Sequence, residues 1–223
     1  MKQERDITGR AKRAPRRDGI MTHTVILEAA GRVFAERGYA DATSKDICAA
    51  AGVNTAAVNY YFGGKDSLYE AVLVEGHRQL LSLEDLGEIM SSGAPPEEKL
   101  RAFYERLLRT ARAASELWGI KVFLREIAAP SPTVNKALPE VILPKAALLR
   151  GLIGEITGHP PDSVTVQRGV AFVVLPAISL IMFPEALRTR ILPATAVMDG
   201  GMLDDMMRYA LGGLRALAVA AES

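Results

Sequence analysis

The chain has 223 residues, 49% hydrophobic and 24% charged, an ordinary globular composition with length for one large or two small domains. The net charge is only +1, yet residues 1–66 hold 11 Lys/Arg against 8 Asp/Glu and residues 67–223 hold 16 against 18. A basic front on a slightly acidic body suits a polyanionic partner at the N-terminal end and argues against a strongly charged, disordered chain.

In chain order, residues 1–20 read as a flexible basic arm. Seven Lys and Arg residues face three acids there, and almost nothing apolar is available to pack. Such an arm could track phosphates or enter a minor groove. A first helix is predicted from Thr22 or Thr24 to Arg37, with Ile26, Ala30, Val33 and Phe34 on one face and Gly38 ending it. Thr43 can cap a second helix, in which Ile47, Ala50 and Ala51 share an apolar side, and Gly52 can end it in a left-handed conformation. Cys48, the sole cysteine, excludes an intrachain disulfide and reads as a small buried side chain of this helix. Asn54 can cap a third helix whose inward positions are Val58, Tyr61 and Phe62. Thr55, Ala56, Asn59 and Tyr60 then look outward. A helix, a glycine turn and a helix with a small polar outer face make the plan of a helix-turn-helix DNA reader.

These residues carry a family resemblance. The segments ILEAAGRVFAERGY, ATSKDICAAAGV and NYYF, followed by Lys65 and Leu68, run from Thr22 to Leu73 at a spacing that resembles the N-terminal domain of the TetR family of transcriptional regulators. NTAAVNYYFGGKDSLYEA and the later SPTVNKALPEVILPKAALLRGLIGEITG are similar to the CecR-like subgroup of that family.

Gly63-Gly64 predicts a break before a helix from Lys65 to about Ser82, a natural link between the two halves of the chain. Turn chemistry dominates residues 83–95. Helical periodicity resumes over about 97–113 and 115–128, and Thr133–Thr157 reads as one long helix or two, with Pro139 and Pro144 as kinks. The apolar run Gly169–Phe183 falls short of the ~20 residues of a membrane span and contains Pro176, so it reads as a helix buried in a protein core or a subunit interface. No signal-peptide pattern precedes the chain's first helix, and a cytoplasmic location without membrane contact is expected. Residues 184–198 read as a connection and Met202–Ala221 as a last helix. Strand-like alternation never persists. His23, His77 and His159 are too scattered to ligate a metal, so no metal and no cofactor are expected.

The expected architecture is all-α: the arm (1–20), a three-helix helix-turn-helix domain (21–66), and a helical bundle (67–223) that binds a ligand and dimerises. Gly169, Ala171 and Gly212-Gly213 are small positions where helices of two subunits could approach closely, so a homodimer is expected. From the helix faces and the resemblance, Ser44 should donate to a phosphate, Thr55, Ala56 and Asn59 should face base edges, and Tyr60 and Lys65 should reach phosphates of a pseudo-palindromic operator in double-stranded DNA. The resemblance further implies a pocket for a small apolar effector that releases a repressor. Phe103, Trp118, Phe123, Phe172 and Met182 are candidate lining residues, with core packing as their alternative role. An effector-free architectural DNA binder is the second reading. A helical enzyme is the third, and no phosphate loop, metal spacing or nucleophile motif supports it.

Overall fold

The computed structural model describes residues 15–220, and among these there are eleven α-helices, one short 3₁₀ turn and no strand. Helix α1 (Pro15–Asp41) starts before the predicted Thr22 and so takes in residues 15–20 of the expected arm; the remainder of that arm lies outside the described residues. The Thr24 hydroxyl does not cap a helix start. It donates to the Ile20 carbonyl one turn back, as an interior residue does. At Gly38 the chain leaves helical geometry with φ 77°, as the sequence anticipates.

Helices α2 (Ser44–Ala51) and α3 (Ala57–Phe62) pack with α1 and the first half of α4 (Lys65–Leu80) around Ile26, Phe34, Ile47, Cys48, Val58, Leu68 and Tyr69. Gly63 and Gly64, at φ 79° and 145°, make the break between α3 and α4. The turn predicted for 83–95 is instead largely helix α5 (Leu83–Ser91). The Ser82 hydroxyl accepts the Asp85 N–H at 2.9 Å and Leu86 is fully buried, so a cap and one apolar anchor suffice for nine residues.

The body continues with α6 (Pro96–Arg112), α7 (Trp118–Ala128), α8 (Val134–Thr157), α9 (Val164–Met182), α10 (Glu185–Ile191) and α11 (Gly200–Ala220). Helix α8 is one element: Pro139 and Pro144 are both exposed, so the carbonyls they leave unpaired can turn to water. The predicted connection 184–198 contains α10, where buried Arg188 donates to the Thr195 carbonyl. Leu100, Phe103, Leu107, Ile153, Val173, Met207 and Leu214 belong to a second core among α6, α8, α9 and α11. Helix α9 is the one described helix long and apolar enough to cross a membrane by length and composition alone, a test that the core helix of a soluble protein also passes. Here it packs on α6 and α8 through Val166, Gly169, Val173, Ala177 and Ile181, and leaves Phe172 and Leu175 exposed. A Cβ on Gly169 would meet Ile153 and Leu214 at 2.9 Å, so this glycine is spent inside the subunit rather than at a subunit interface.

Helix α7 packs on both α1 and α4 and thereby joins the two cores. The Trp118 indole donates to Glu28 at 3.0 Å and lies against Gly31, where a Cβ would come within 2.4 Å of the ring. Gly76 of α4 and Gly119 of α7 cross so closely that a Cβ on Gly119 would sit 2.6 Å from the Gly76 Cα. Arg125 donates to the Ala35 carbonyl at 2.7 Å and to that of Glu36, taking up groups freed by the break at Gly38. Buried Glu126 accepts from Tyr69 of α4 and from the backbone and hydroxyl of Ser131.

Gly31→Ala should therefore destabilise the protein by about 1–3 kcal/mol through overpacking, against the usual helix preference for alanine. Gly151→Ala, at a helical glycine with nothing within 4 Å, should be neutral or slightly stabilising. Urea unfolding of the two variants measures the contrast.

Candidate functional site

The geometry of the α2–α3 turn follows from side chains within a dozen residues of one another. The Thr43 hydroxyl accepts the Asp46 N–H at 3.1 Å, and the Asp46 carboxylate accepts the Thr43 N–H at 3.2 Å, a reciprocal cap at the start of α2. The same hydroxyl donates to Asp46 at 2.6 Å, and Arg37 pairs with that carboxylate at 3.0 Å. These hydrogen bonds, the Thr43 hydroxyl first, hold the Asp46 carboxyl below its ordinary value. The T-x-x-D spacing carries this cap in the sequence, although reading Thr43 alone finds only half of it. Gly52, at φ 65°, ends α2, and the Val53 N–H returns to the Cys48 carbonyl at 3.0 Å. Buried Cys48 directs its thiol at the Thr55 carbonyl, 3.6 Å away, which ties α2 to the start of α3. The Asn54 side chain accepts the Ala56 N–H at 2.9 Å, one turn ahead of the regular helix, which begins at Ala57.

On α3, Val58 is fully buried, Tyr61 and Phe62 are half-buried, and the Phe62 ring stacks on His23 of α1 at 4.3 Å. With the inward positions filled, Thr55, Ala56 and Asn59 are exposed and Tyr60 is 82% exposed, so these four lie together on one open surface. Ser44 is half-buried at the first position of α2, where backbone N–H groups remain free. Lys65 is half-buried at the start of α4: its ammonium lies 4.6 Å from the centre of the Tyr39 ring and donates to the Ala40 carbonyl at 3.4 Å. Tyr39 donates in turn to Asp66 at 2.6 Å, and this bond raises its pKa.

A cavity of about 410 Å³ opens in the body between the end of α4 and helices α6, α8 and α9. Its walls are aliphatic and aromatic, with His77, Lys145 and Gln167 as the polar members. Of the five residues singled out by sequence, Phe103 lines it. Trp118 sits at the α1–α7 contact instead. Phe123 is buried beside the His77 ring at 5.7 Å, Phe172 is 59% exposed on the outer face of α9, and half-buried Met182 ends that helix. Side-chain type alone, aromatic or Met, pointed to these four, and each rests where two helices meet or at the surface. Lys145 and His77 were missed because a lysine and a histidine 68 residues apart carry no joint signal. Lys145 Nζ lies 2.6 Å from His77 Nδ1 and donates to the Leu81 carbonyl. Burial first, and the neighbouring ammonium second, lower the His77 pKa to about 4, so its imidazole is neutral and Nδ1 can accept. Burial lowers the Lys145 pKa to about 8.

Three helices around a tight glycine turn, with an open polar face on the third, define a helix-turn-helix protein. Comparison with known proteins agrees. Residues 26–72 match the bacterial regulatory proteins of the tetR family, and residues 96–214 match the C-terminal domain of the HTH-type transcriptional dual regulator CecR. The HTH-type transcriptional regulator BetI of Brucella canis is 33% identical over 91 residues, 41% of this chain and 45% of that protein. The chain thus matches less than half the length of these BetI relatives. An uncharacterised HTH-type transcriptional regulator of Mycobacterium tuberculosis is 29% identical over 159 residues, 71% of this chain and 74% of its own. The structure of the fatty acid degradation regulator FadR from Bacillus halodurans superposes with a TM-score of 0.64 at 20% identity, covering 92% of this chain and 98% of that one, which is a likeness of fold. The chain belongs to the TetR family of bacterial regulatory proteins, with a body of the CecR C-terminal type.

Thr43→Ala should cost roughly 1 kcal/mol at neutral pH by removing the cap of α2. The Asp46 carboxyl titrates below its ordinary 3.8 in the folded chain, so the cap is intact above that pH and weakens as pH falls through the lowered value. The difference in melting between wild type and Thr43→Ala should therefore shrink from pH 7 to pH 3, as followed by circular dichroism.

Proposed function

We propose that the protein is a homodimeric repressor that reads a pseudo-palindromic operator and is released by a small apolar molecule held in the body cavity. Residues 1–20 would serve as a basic arm along the phosphates, residues 21–66 as the DNA-binding domain and residues 67–223 as the ligand-binding and dimerisation domain. The observation that carries the reading is the open face of α3: Thr55, Ala56, Asn59 and Tyr60 are exposed together while Val58 behind them is fully buried. Small polar side chains on a helix held rigidly from behind can enter a major groove. Asn59 can bond adenine through two hydrogen bonds, and Ala56 or the Thr55 methyl can touch a thymine methyl. Ser44 at the start of α2, Tyr60 and Lys65 can reach flanking phosphates, with the lysine leaving the Tyr39 ring to do so. Such roles suit a binding protein rather than an enzyme, and one that works in the cytoplasm, where its DNA is.

Dimerisation answers a geometric demand, since two reading helices must stand about 34 Å apart to enter successive major grooves. The outer faces of α9 and α11 favour it: Phe172, Leu175 and Tyr209 are exposed, and Gly212 and Gly213 have open space around them. Two such faces brought together as four helices would cover this apolar surface. Sedimentation at micromolar concentration should give twice the chain mass of 24.0 kDa, and a single-chain species there would overturn the dimer.

Selection of bound duplexes from a random pool provides the operator. On it, Asn59→Ala should lose roughly 1–3 kcal/mol and relax base preference, whereas Lys65→Ala should weaken all sequences alike and lower the salt slope by about one. If Asn59→Ala kept the wild-type ratio of operator to random DNA, the base-reading role of α3 would be wrong.

A further inference from the structure

We propose that the body cavity is built for an amphipathic carboxylate, whose single negative charge pairs with Lys145 while its apolar part lies between α6, α8 and α9. This assignment rests on reading the cavity as the effector site and adds the chemical class of the effector.

Lys145 is 6% exposed and has no carboxylate partner among the described residues. An ammonium has three N–H donors. Two are used, on neutral His77 and on the Leu81 carbonyl, and the third has no protein acceptor among the described residues. A buried cation without a counter-charge is costly, and the low Lys145 pKa has the same origin. A ligand carboxylate would offset that cost directly. A neutral ligand would leave it standing, and a dianion would bring a second charge with no partner, because His77 and Gln167 are the other polar wall residues and neither is cationic at neutral pH. The remaining wall, with Phe103, Leu107, Leu149, Val174 and Ile178 among its members, can hold only an apolar body, and about 410 Å³ is room for a small molecule.

The same lysine supplies a route to the DNA-binding end. His77 lies in the last turn of α4 and Leu81 follows it, so Lys145 closes the C-terminal end of that helix. The other end of α4 begins at Lys65 and packs Leu68 and Tyr69 into the core shared with α2 and α3. A carboxylate that draws the ammonium toward the cavity loosens the hold on α4. Any such coupling must be reciprocal, so operator DNA should weaken carboxylate binding by the factor by which the carboxylate weakens operator binding.

Calorimetric titration of the full chain with decanoate and with decan-1-ol tests the assignment. The two probes share chain length and differ in charge. Decanoate should bind at least tenfold more tightly to the wild type. Lys145→Met should bring decanoate down to the level of decanol, and Ala171→Trp should abolish both, because Ala171 lies in the α9 wall of the cavity, not only on the subunit-facing side the sequence suggested, and the new ring would fill it. Equal affinity of the wild type for the two probes would overturn the carboxylate assignment while leaving the cavity a ligand site, and this comparison stands even if Lys145→Met fails to fold. A decanoate preference that survives in folded Lys145→Met would overturn it too. Failure of both probes to bind, or binding that persists in Ala171→Trp, would overturn the cavity reading along with it.

Discussion

The indole of Trp118 lies against the backbone of α1 at Gly31, with no room for even a methyl group between them. Its N–H bonds Glu28 of the same helix, while the Gly76–Gly119 crossing at the next residue of α7 and the Glu126–Tyr69 bond about two turns further on hold α4. Helix α7 is thus wedged into the angle between the first and fourth helices. The three-helix head cannot change its seat on the body unless these contacts shift together, because close-packed interfaces repack in discrete steps rather than yield gradually. A rigid seat suits the proposed dimer, which would present two small surfaces at a defined separation.

Function at α3 depends as much on what is packed as on what is left free. Val58, Phe62 and the Cys48–Thr55 contact occupy the inner side, and His23 stacks on Phe62 from α1. Only after those positions are filled are Thr55, Ala56 and Asn59 left together at the surface. None of the three is large or charged. The base-reading role proposed for them relies on the helix beneath having already lost its freedom, so that little ordering cost would remain on binding. The phosphate contact proposed for Lys65 differs: its ammonium already has the Tyr39 ring and a backbone carbonyl as partners, which a phosphate would have to replace.

Helix α4 meets both chemistries. Glycines precede its start, so its N-terminal end is jointed to α3 rather than continuous with it. At its C-terminal end a neutral histidine and a backbone carbonyl share one buried ammonium. Charge buried beside a cavity is responsive in a way that the surrounding aliphatic core is not, since its energy changes by kcal/mol with the arrival or loss of one opposite charge.

The all-α class, the turn, the caps at Thr43 and Gly52, and the inward and outward sides of α3 were all legible in the amino-acid sequence, because they depend on residues three or four apart and on the backbone freedom of single glycines. Helices α5 and α10 were hidden, since each is short and anchored mainly by one buried residue, Leu86 or Arg188, beneath a surface-like sequence. The seat of Trp118, the reason for Gly31, the inward use of Gly169 and the pairing of His77 with Lys145 belong to the tertiary structure alone. Trp118 meets Glu28 across 90 residues and Lys145 meets His77 across 68. Local periodicity states that a helix has an apolar side but not which neighbour that side will face, and only the relative placement of whole helices decides whether a large ring fills a joint, a core or the wall of a cavity.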